Sequence, residues 1–217
     1  MEVLKWLKST SPPCPWDERA CDAAAHRGHL EVLKWLRSEG CPWNEVVSNR
    51  AAAAGHFEVL KWLRSEGCPW DEEVCASAAH WETLKWLRSE GCPWNEGACA
   101  GAASKGRLEM LKWLRSEGCP WNERACSAAA TSGYLEVLKW LRSEGCPWDK
   151  SAWMKTAAFS FLDVLKYLYE NECPLDESTW RYASGSSREW LKENVTEGDL
   201  MRMRSARSMA AVYAQRR

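Results

Sequence analysis

The tripeptide Cys-Pro-Trp returns along the chain at an almost constant spacing, and this repeat limits what the chain can fold into. It begins at Cys14, Cys41, Cys68, Cys92, Cys119 and Cys146, and a related Cys-Pro-Leu begins at Cys173. Every interval is 27 residues except the 24 residues between Cys68 and Cys92. A Leu-Lys-Trp-Leu segment recurs in step with the tripeptide. Self-similarity at a period of roughly 20–50 residues is typical of repeat architectures.

Each copy has the pattern of two helices, as the copy beginning at Cys41 illustrates. Asn44 is a good helix N-cap, and the first helix is predicted to run from there to about Ala54, where Gly55 breaks it. The second helix is predicted over Phe57–Glu66, with apolar residues at helical spacing, and it ends at the left-handed cap residue Gly67. Two helices of this length cannot bury their apolar faces alone, so neighbouring copies must stack.

The predicted fold is therefore all-α: a repeat solenoid of stacked antiparallel helix pairs with no sheet. We expect about seven units over residues 1–197, with a partial first unit and a degenerate last one. Because Met1 falls within a second helix, we expect an array that is open at that end. Residues 198–217 form a basic tail whose arginines include Arg202, Arg204 and Arg207.

Two segments, one in the copy that begins at Cys41 and one at its junction with the next copy, resemble the ankyrin-repeat family. Residues 51–61, Ala-Ala-Ala-Ala-Gly-His-Phe-Glu-Val-Leu-Lys, are similar to the ankyrin pattern Ala-Ala-x-x-Gly-His-Leu-Glu-Val-Val-Lys, and residues 67–71 are similar to the Gly-Ala-Asp-Val-Asn that closes an ankyrin unit. The ankyrin period is about 33 residues. The resemblance implies a short variant that lacks most of the β-hairpin finger after Asn44, with little or no strand.

The sequence departs from the family at two places. The ankyrin signature Thr-Pro-Leu-His is absent, and the place of its Leu is taken by Cys21, Cys75, Cys99 and Cys126. The short interval removes three residues of the turn before His80, so we predict a tightened turn there and a first helix that is about one turn shorter.

The 11 cysteines suggest either metal binding or core packing. Several pairs lie seven residues apart, as do Cys68 and Cys75, whereas zinc sites usually space paired cysteines two to four residues apart. Equivalent cysteines in stacked helices should lie about 8–10 Å apart, too far for a disulfide. We expect buried free thiols, no metal site and no cofactor, and keep a metal- or redox-responsive role as an alternative.

Histidines and tryptophans also recur at fixed places. His29, His56 and His80 occupy the turn between the helices, where we expect each to hydrogen-bond backbone. Most of the 16 tryptophans fall in two registers, one in the connector and one in the second helix. Because balanced charges surround them, we expect burial between units, with Trp62 in the core, in preference to a base-stacking surface.

Composition and motifs argue against several function classes. The net charge of −1 provides no broad basic footprint for nucleic acid, and no run of apolar residues is long enough to cross a membrane. No catalytic triad order, phosphate loop or carboxylate pair stands outside the repeat pattern, so we predict no enzyme and no small-molecule substrate. Without a secretory pattern at the amino terminus, we expect an intracellular, cytoplasmic and monomeric protein.

Comparison of the copies separates an invariant face from a variable one. The second helix is nearly identical throughout, even at its polar positions, whereas positions 5, 8, 9, 12 and 13 after the connector Cys vary in the first helix. We call these five positions the variable face. Homogenisation of one segment by gene conversion is a neutral explanation of the contrast. The functional explanation is that first helices meet a partner, as the ankyrin resemblance implies.

We therefore predict a non-catalytic scaffold or adaptor that binds another protein along this concave, first-helix face. The candidate partner-binding residues are Arg19, Asp22, His26, Arg27, Asn49, Arg50, Ser104, Lys105, Arg124, Ser127, Thr131, Met154, Lys155 and Phe159. Arg27 and Arg50 are expected to bind an acidic part of the partner, with no role in stability. A nucleic-acid binder acting through the Arg-rich tail is a second alternative to this function.

Overall fold

The computed structural model describes residues 17–78, 80–175 and 178–199, together with Glu2 and Met201. It divides into two compact units, Met1–Trp94 and Asn95–Arg217. The helices of the first unit are α1 (Glu18–His26), α2 (Leu30–Ser38), α3 (Glu45–Ala54), α4 (Phe57–Ser65), α5 (Glu72–Ser77) and α6 (Trp81–Ser89). Those of the second are α7 (Glu96–Ser104), α8 (Leu108–Ser116), α9 (Glu123–Thr131), α10 (Leu135–Ser143), α11 (Ser151–Ala158), α12 (Leu162–Glu170), α13 (Ser178–Tyr182) and α14 (Gly185–Asn194). The described ranges contain no strand, as predicted.

The first helices begin at the predicted caps. The side chains of Asp17, Asn44, Asp71, Asn95 and Asn122 each accept a hydrogen bond from the backbone N–H two residues further on, at 2.7–3.1 Å. These bonds satisfy one of the N–H groups that a helix start leaves without a partner. Asp149 accepts the N–H of Ser151 in the same way, at 2.9 Å. The equivalent Asp176, the partial first unit and nearly all of the tail lie outside the described residues.

Alanines and leucines form the core, in the registers that the repeat predicts. The residues six, seven, ten and eleven places after the connector Cys are buried in the copies from Cys41, Cys92, Cys119 and Cys146, and most of them are small, with Trp153 as the exception. The second helix contributes two leucines and the residue before the first of them, as Val59, Leu60 and Leu63 do in α4. Among the largest fully buried side chains all but one are leucines, the exception being Trp153.

Within each unit, successive first helices pack closely against one another. Helices α1, α3 and α5 are neighbours in the first unit, and α7, α9, α11 and α13 are neighbours in the second. Alanine at the contact positions lets these backbones approach more closely than those of the second helices, whose contacts involve larger side chains. Inside each unit the first-helix side is therefore the inner, more tightly packed side.

The predicted shortening of the first helix in the short copy is confirmed. Helix α5 has six residues, against ten in α3 and nine in α7, and it stops at Ala78 in an extended conformation with ψ of 119°. The three missing residues shorten the first helix, and the second helix α6 keeps its full nine residues. The deletion therefore removes about one turn of helix without changing the connector that follows.

Both conserved side chains of the connector, the Cys and the Trp, contact neighbouring elements in the copies from Cys41 to Cys146. The thiol of Cys119 donates to the carbonyl of Asn95 at 3.5 Å, and the Cys119 carbonyl accepts the guanidinium of Arg115 at 2.6 Å. The same guanidinium lies 3.9 Å from the ring centre of Trp121, which meets Trp140 of the next second helix edge to face. We call this arrangement the connector clamp. Arginine stacks on the connector Trp at 3.9–4.2 Å in five copies, and the connector thiol donates to the preceding cap carbonyl at 3.3–3.6 Å in six.

The expectation that Trp62 is a core residue is wrong. Trp62 is half-buried, as are the other second-helix tryptophans that the structure describes, and its ring meets Trp43 of the preceding connector at 5.7 Å. The rings lie between copies, as expected, but at the outer edge of the interface, because leucines and alanines already fill its interior.

A second inter-copy contact joins successive turns. The first helix ends at a glycine with positive φ, and the aromatic side chain of the next turn lies against that glycine. A Cβ atom on Gly106 would come within 2.5 Å of the Tyr134 ring, and one on Gly133 within 2.9 Å of the Phe161 ring. Gly28 and His56 have the same relation in the first unit. Glycine is thus required twice at these sites, for its conformation and for the space above it.

Leu63 and Trp62 test this description of the core. We expect Leu63→Ala to lower the free energy of unfolding by about 3 kcal/mol, because the side chain is fully buried in α4. Trp62→Ala should cost about 2 kcal/mol, less than a buried tryptophan, because part of its ring already faces water. Urea unfolding followed by circular dichroism measures both, and a larger loss for Trp62 would contradict the assignment.

Glycines 133 and 145 provide a matched pair for the turn contact. Both have φ near +78°, but a Cβ on Gly145 would meet nothing within 4 Å. Gly145→Ala should therefore cost only the left-handed strain, about 1 kcal/mol. Gly133→Ala should cost at least about twice as much, because the Phe161 ring must also move. Adding Phe161→Ala should reduce the difference between the two glycine variants, and equal losses for both would contradict the contact.

Candidate functional site

The variable face lies on the first helices of both units and is at least partly open to solvent. In the first unit Arg19, His26, Arg27 and Arg50 are exposed, and Asp22 and Asn49 are half-buried. In the second unit Lys105, Arg124, Met154, Lys155 and Phe159 are exposed, and Ser104, Ser127 and Thr131 are half-buried. The structure therefore puts every predicted site residue on the surface side of a first helix or at its end.

In the first unit several of these side chains bind one another. Arg50 Nε lies 3.1 Å from Asp22 Oδ1, which joins α3 to α1. Arg19 Nε lies 2.9 Å from Oδ2 of the cap residue Asp17. The Asn49 side-chain amide donates to Asp71, the cap of α5, at 3.4 Å. Several polar side chains of the variable face in the first unit thus form ion pairs or hydrogen bonds within that unit.

The ion pair corrects one expectation. Arg50 was predicted to be replaceable without loss of stability, but its partner Asp22 is only 26% exposed. Removal of Arg50 would leave a largely buried carboxylate without its cation, which costs free energy. Arg27 makes no ion pair or hydrogen bond through its side chain to any described residue, so it remains a suitable surface probe.

In the second unit, fewer side chains of the variable face form hydrogen bonds or ion pairs within the unit. Ser104 and Thr131 donate to backbone carbonyls of their own helices, at 2.9 and 3.4 Å. Arg124 and Lys155 make no side-chain hydrogen bond or ion pair within the described ranges. Phe159 is 64% exposed and Met154 is 40% exposed. This part of the variable face therefore presents cationic and apolar groups directly to solvent.

The invariant polar face of the second helices has a structural explanation. In five copies the Lys and the Glu three residues before it form an ion pair at 2.7–3.5 Å. The Arg stacks on the connector Trp, and the Ser donates to the carbonyl of the second-helix Trp at 2.8 Å. These residues are thus held constant by contacts within each copy and with its connector, and the variable positions lack most of such contacts.

The structure brings cysteines together across copies and not within them. A first-helix cysteine lies against the connector cysteine of the following copy: Cys21 with Cys41, Cys99 with Cys119, and Cys126 with Cys146. Cysteines that lie seven residues apart in the sequence are not the cysteines in contact. Ser48 takes the place of the first thiol beside Cys68, and Trp153 takes it beside Cys173.

In each pair, burial and thiol hydrogen bonding disfavour the thiolate of the first-helix cysteine, whereas the hydrogen bond with Cys126 lowers the pKa of Cys146. Burial raises the pKa of the Cys21 thiol to about 12, and the hydrogen bond with Cys41 acts in the same direction. The hydrogen bond with Cys146, together with burial, raises the pKa of Cys126 far above its usual range. Ten described cysteines are buried and free, and no group of three or more metal-ligating side chains occurs in the part of the chain that the structure describes. The arrangement suits core packing.

Of the three turn histidines, one makes the expected backbone contact. His56 Nε2 donates to the carbonyl of His26 in the preceding copy at 3.0 Å. His29 and His80 make no such side-chain bond to any residue within the described ranges. The expectation that all three hydrogen-bond backbone is therefore supported for His56 alone.

The turn residue just before each second helix is also accessible to solvent, and comparison of the copies did not identify it as part of the site. This position carries His29, His56, Arg107, Tyr134 and Phe161 in successive full-length copies. Tyr134 is 41% exposed, and Phe161 lies 6.1 Å from Phe159, ring centre to ring centre. The signal was present, since this column varies as much as the predicted ones, but the resemblance to the ankyrin Gly-His turn assigned it to structure.

Comparisons with known proteins agree with this architecture. The family model of ankyrin repeats in many copies matches residues 21–64. The solved structure of the human ASB11 ankyrin repeat domain is similar, with a TM-score of 0.54 and 18% sequence identity, over 80% of this chain and 96% of that chain. No curated protein matches the sequence.

The chain is thus a helical repeat protein of the ankyrin type. Residues 21–64 match the ankyrin-repeat family, and the chain has the fold of an ankyrin-repeat domain, in agreement with the resemblance seen in the sequence. Ankyrin repeats are generally modules of protein–protein interaction. Among the described residues, no helix combines the length and apolar character needed to cross a bilayer.

Alkaline unfolding tests the thiol pairs. Because the pKa of Cys21 is about 12 in the fold and near 9.0 when exposed, the thiol stays protonated in the folded state where the unfolded chain ionises. Stability from this group is complete below about pH 9 and is lost as the pH rises towards about 12. We expect Cys21→Ala to unfold with a shallower loss of stability over this range, measured by urea titrations at several pH values. An unchanged slope would contradict the raised pKa.

Proposed function

We propose that this protein is a non-catalytic interaction scaffold that binds a partner protein along the variable face. The observation that carries the proposal is the contrast between the two surfaces of the helix pair. Polar groups of the second helices are engaged within the chain, as in the Glu109–Lys112 pair. Arg124, Lys155 and Phe159 on the first helices are exposed to solvent.

This contrast favours selection for binding over gene conversion as the reason for the variable face. Gene conversion would keep the second helices alike whether or not their side chains made contacts. Their recurring contacts provide a physical reason for conservation of each polar residue. Side chains that differ from copy to copy on a densely packed, regular support are what a repeat protein uses to recognise an irregular partner.

The alternative functions have less support. Zinc or redox chemistry needs accessible thiolates, and the cysteines are buried with raised pKa values at Cys21, Cys99 and Cys126. Nucleic-acid binding through the tail depends on residues that the structure does not describe. We propose that the protein works in the cytoplasm as a monomer, because free cysteines in such number are typical of reducing compartments.

Site-specific photo-crosslinking tests the proposed surface. A photoreactive phenylalanine analogue replaces Arg27 in the first unit or Ser127 in the second, and the full chain is exposed to cell extract and irradiated. We expect the same protein to be crosslinked from the variable-face positions, identified by mass spectrometry, because those side chains would lie in the interface.

Lys61 and Lys112 provide the matched controls, since they occupy exposed sites on the second helices. The analogue at these positions should not capture the partner. Capture from Lys61 and Lys112, with none from Arg27 and Ser127, would place the interface on the second-helix side and overturn the proposal.

A further inference from the structure

The two units differ in how their variable faces use cations. In the first unit Arg19 and Arg50 are paired with Asp17 and Asp22. In the second unit no acidic side chain occupies a variable position, and Arg124 and Lys155 pair with none of the residues that the structure describes. The second unit therefore carries uncompensated positive charge on its first helices, although the whole chain has a net charge of −1.

Neighbouring positions strengthen this charge. The residue four places after the connector Cys is glutamate in each of the first five copies, and in the sixth it is Lys150. In the last copy Arg181 is exposed on α13, next to α11. At the other end of the unit, Lys105 and Arg107 add two cations just after α7. Cations thus occur on the first helix, or at its end, in every copy of the second unit.

Exposed apolar side chains lie among these cations. Phe159 is 64% exposed, Tyr182 46%, Tyr134 41% and Met154 40%. They belong to α11, to α13 and to the turn after α9, which are consecutive along the inner side of the unit. Only two other described side chains, Val46 and Met201, are counted among the exposed large hydrophobic residues. Four of the six exposed large hydrophobic residues among those described therefore lie beside the cations of the second unit.

The remaining variable positions are small. Gly97, Ala100 and Gly101 occupy them on α7, and Ala128 does so on α9, all half-buried. Because these side chains are short, a bound polypeptide can approach the helix backbone there. The inner side of the second unit thus combines short side chains on α7 and α9 with apolar and cationic side chains on α11 and α13.

We propose that the variable face of the second unit docks an acidic peptide segment that carries a bulky apolar side chain. The inference rests on the proposed function and adds the chemistry of the partner. Carboxylates of the segment pair with Arg124, Lys155 and Arg181, and its apolar side chain packs against Phe159 and Met154. Charge complementarity sets orientation and association rate, and the apolar contact provides most of the affinity.

A single-stranded nucleic acid fits these groups less well. Base stacking needs open ring faces, but the Tyr134 ring lies against Gly106 and the Phe161 ring against Gly133. A flexible methionine such as Met154 adapts to varied apolar side chains, which suits a peptide.

Selection from a random peptide library tests the chemistry directly. Peptides of about twelve residues span roughly 40 Å when extended, enough to cross the four first helices of the unit. The full chain is immobilised and the library is displayed on phage. We expect the enriched peptides to be net acidic and to contain at least one aromatic or large aliphatic residue. Their affinity should fall as salt is raised, because exposed charges are screened.

Charge-reversal variants locate the binding site. Arg124→Glu with Lys155→Glu should weaken the best peptide by about tenfold or more in fluorescence anisotropy. Lys112→Glu with Lys139→Glu makes the same change in net charge on the second helices of the same unit and should leave affinity within about twofold. Phe159→Ala should weaken binding about threefold to tenfold without altering its salt dependence. Circular dichroism confirms that each variant is folded.

The outcomes separate this inference from the proposed function. Enrichment of neutral or basic peptides, no enrichment at all, or equal losses in the two charge-reversal variants would overturn the acidic-peptide inference. Tighter binding of a labelled oligothymidylate than of any selected peptide would assign the surface to nucleic acid and also overturn it. The crosslinking from Arg27 and Ser127 could still succeed in these cases, and only its failure removes the protein-binding surface itself.

Discussion

The stack depends on the way each connector is fixed to the copies on either side of it. The connector thiol binds the carbonyl of the preceding cap residue, and one arginine both binds the connector carbonyl and covers the connector tryptophan. A Cys-Pro-Trp segment has no hairpin to hold it in place, and each of these contacts is worth at most a few kcal/mol. Repeated at copy after copy, they hold the helix pairs at a constant spacing with fewer residues than an ankyrin unit normally uses.

The clamp also explains which residues are free to vary. The recurring Glu, Lys, Arg and Ser of the second helix make the same contacts in successive copies, and the Arg contacts fix the connector that follows. First-helix positions that point away from the alanine core take part in few such contacts. The side chains at Arg124 and Lys155 can therefore change without loss of the contacts between copies. In the first unit, by contrast, Arg50 forms an ion pair with Asp22.

Most of the fold could be predicted from the sequence, because periodicity, caps and glycine stops all act locally. The bounds of α3 and α4 and the shortened α5 follow from Asn44, Gly55 and the three missing residues near His80. Contacts between copies were less predictable. The pairing of Cys126 with Cys146 and the half-burial of Trp62 depend on how two copies are placed against each other, which a single repeat does not encode. The ion pair of Arg50 and the exposure of the turn residue Tyr134 on the candidate site could not be predicted for the same reason.

Near-identity of the second helices has an evolutionary consequence. Two copies that share the same codons over this stretch can misalign during recombination, and a crossover there inserts or deletes one complete period. Each new junction still contains an arginine, a connector and a cap, so the clamp re-forms without any compensating substitution. Growth or shortening of the gene in whole periods then leaves the contacts between neighbouring copies intact.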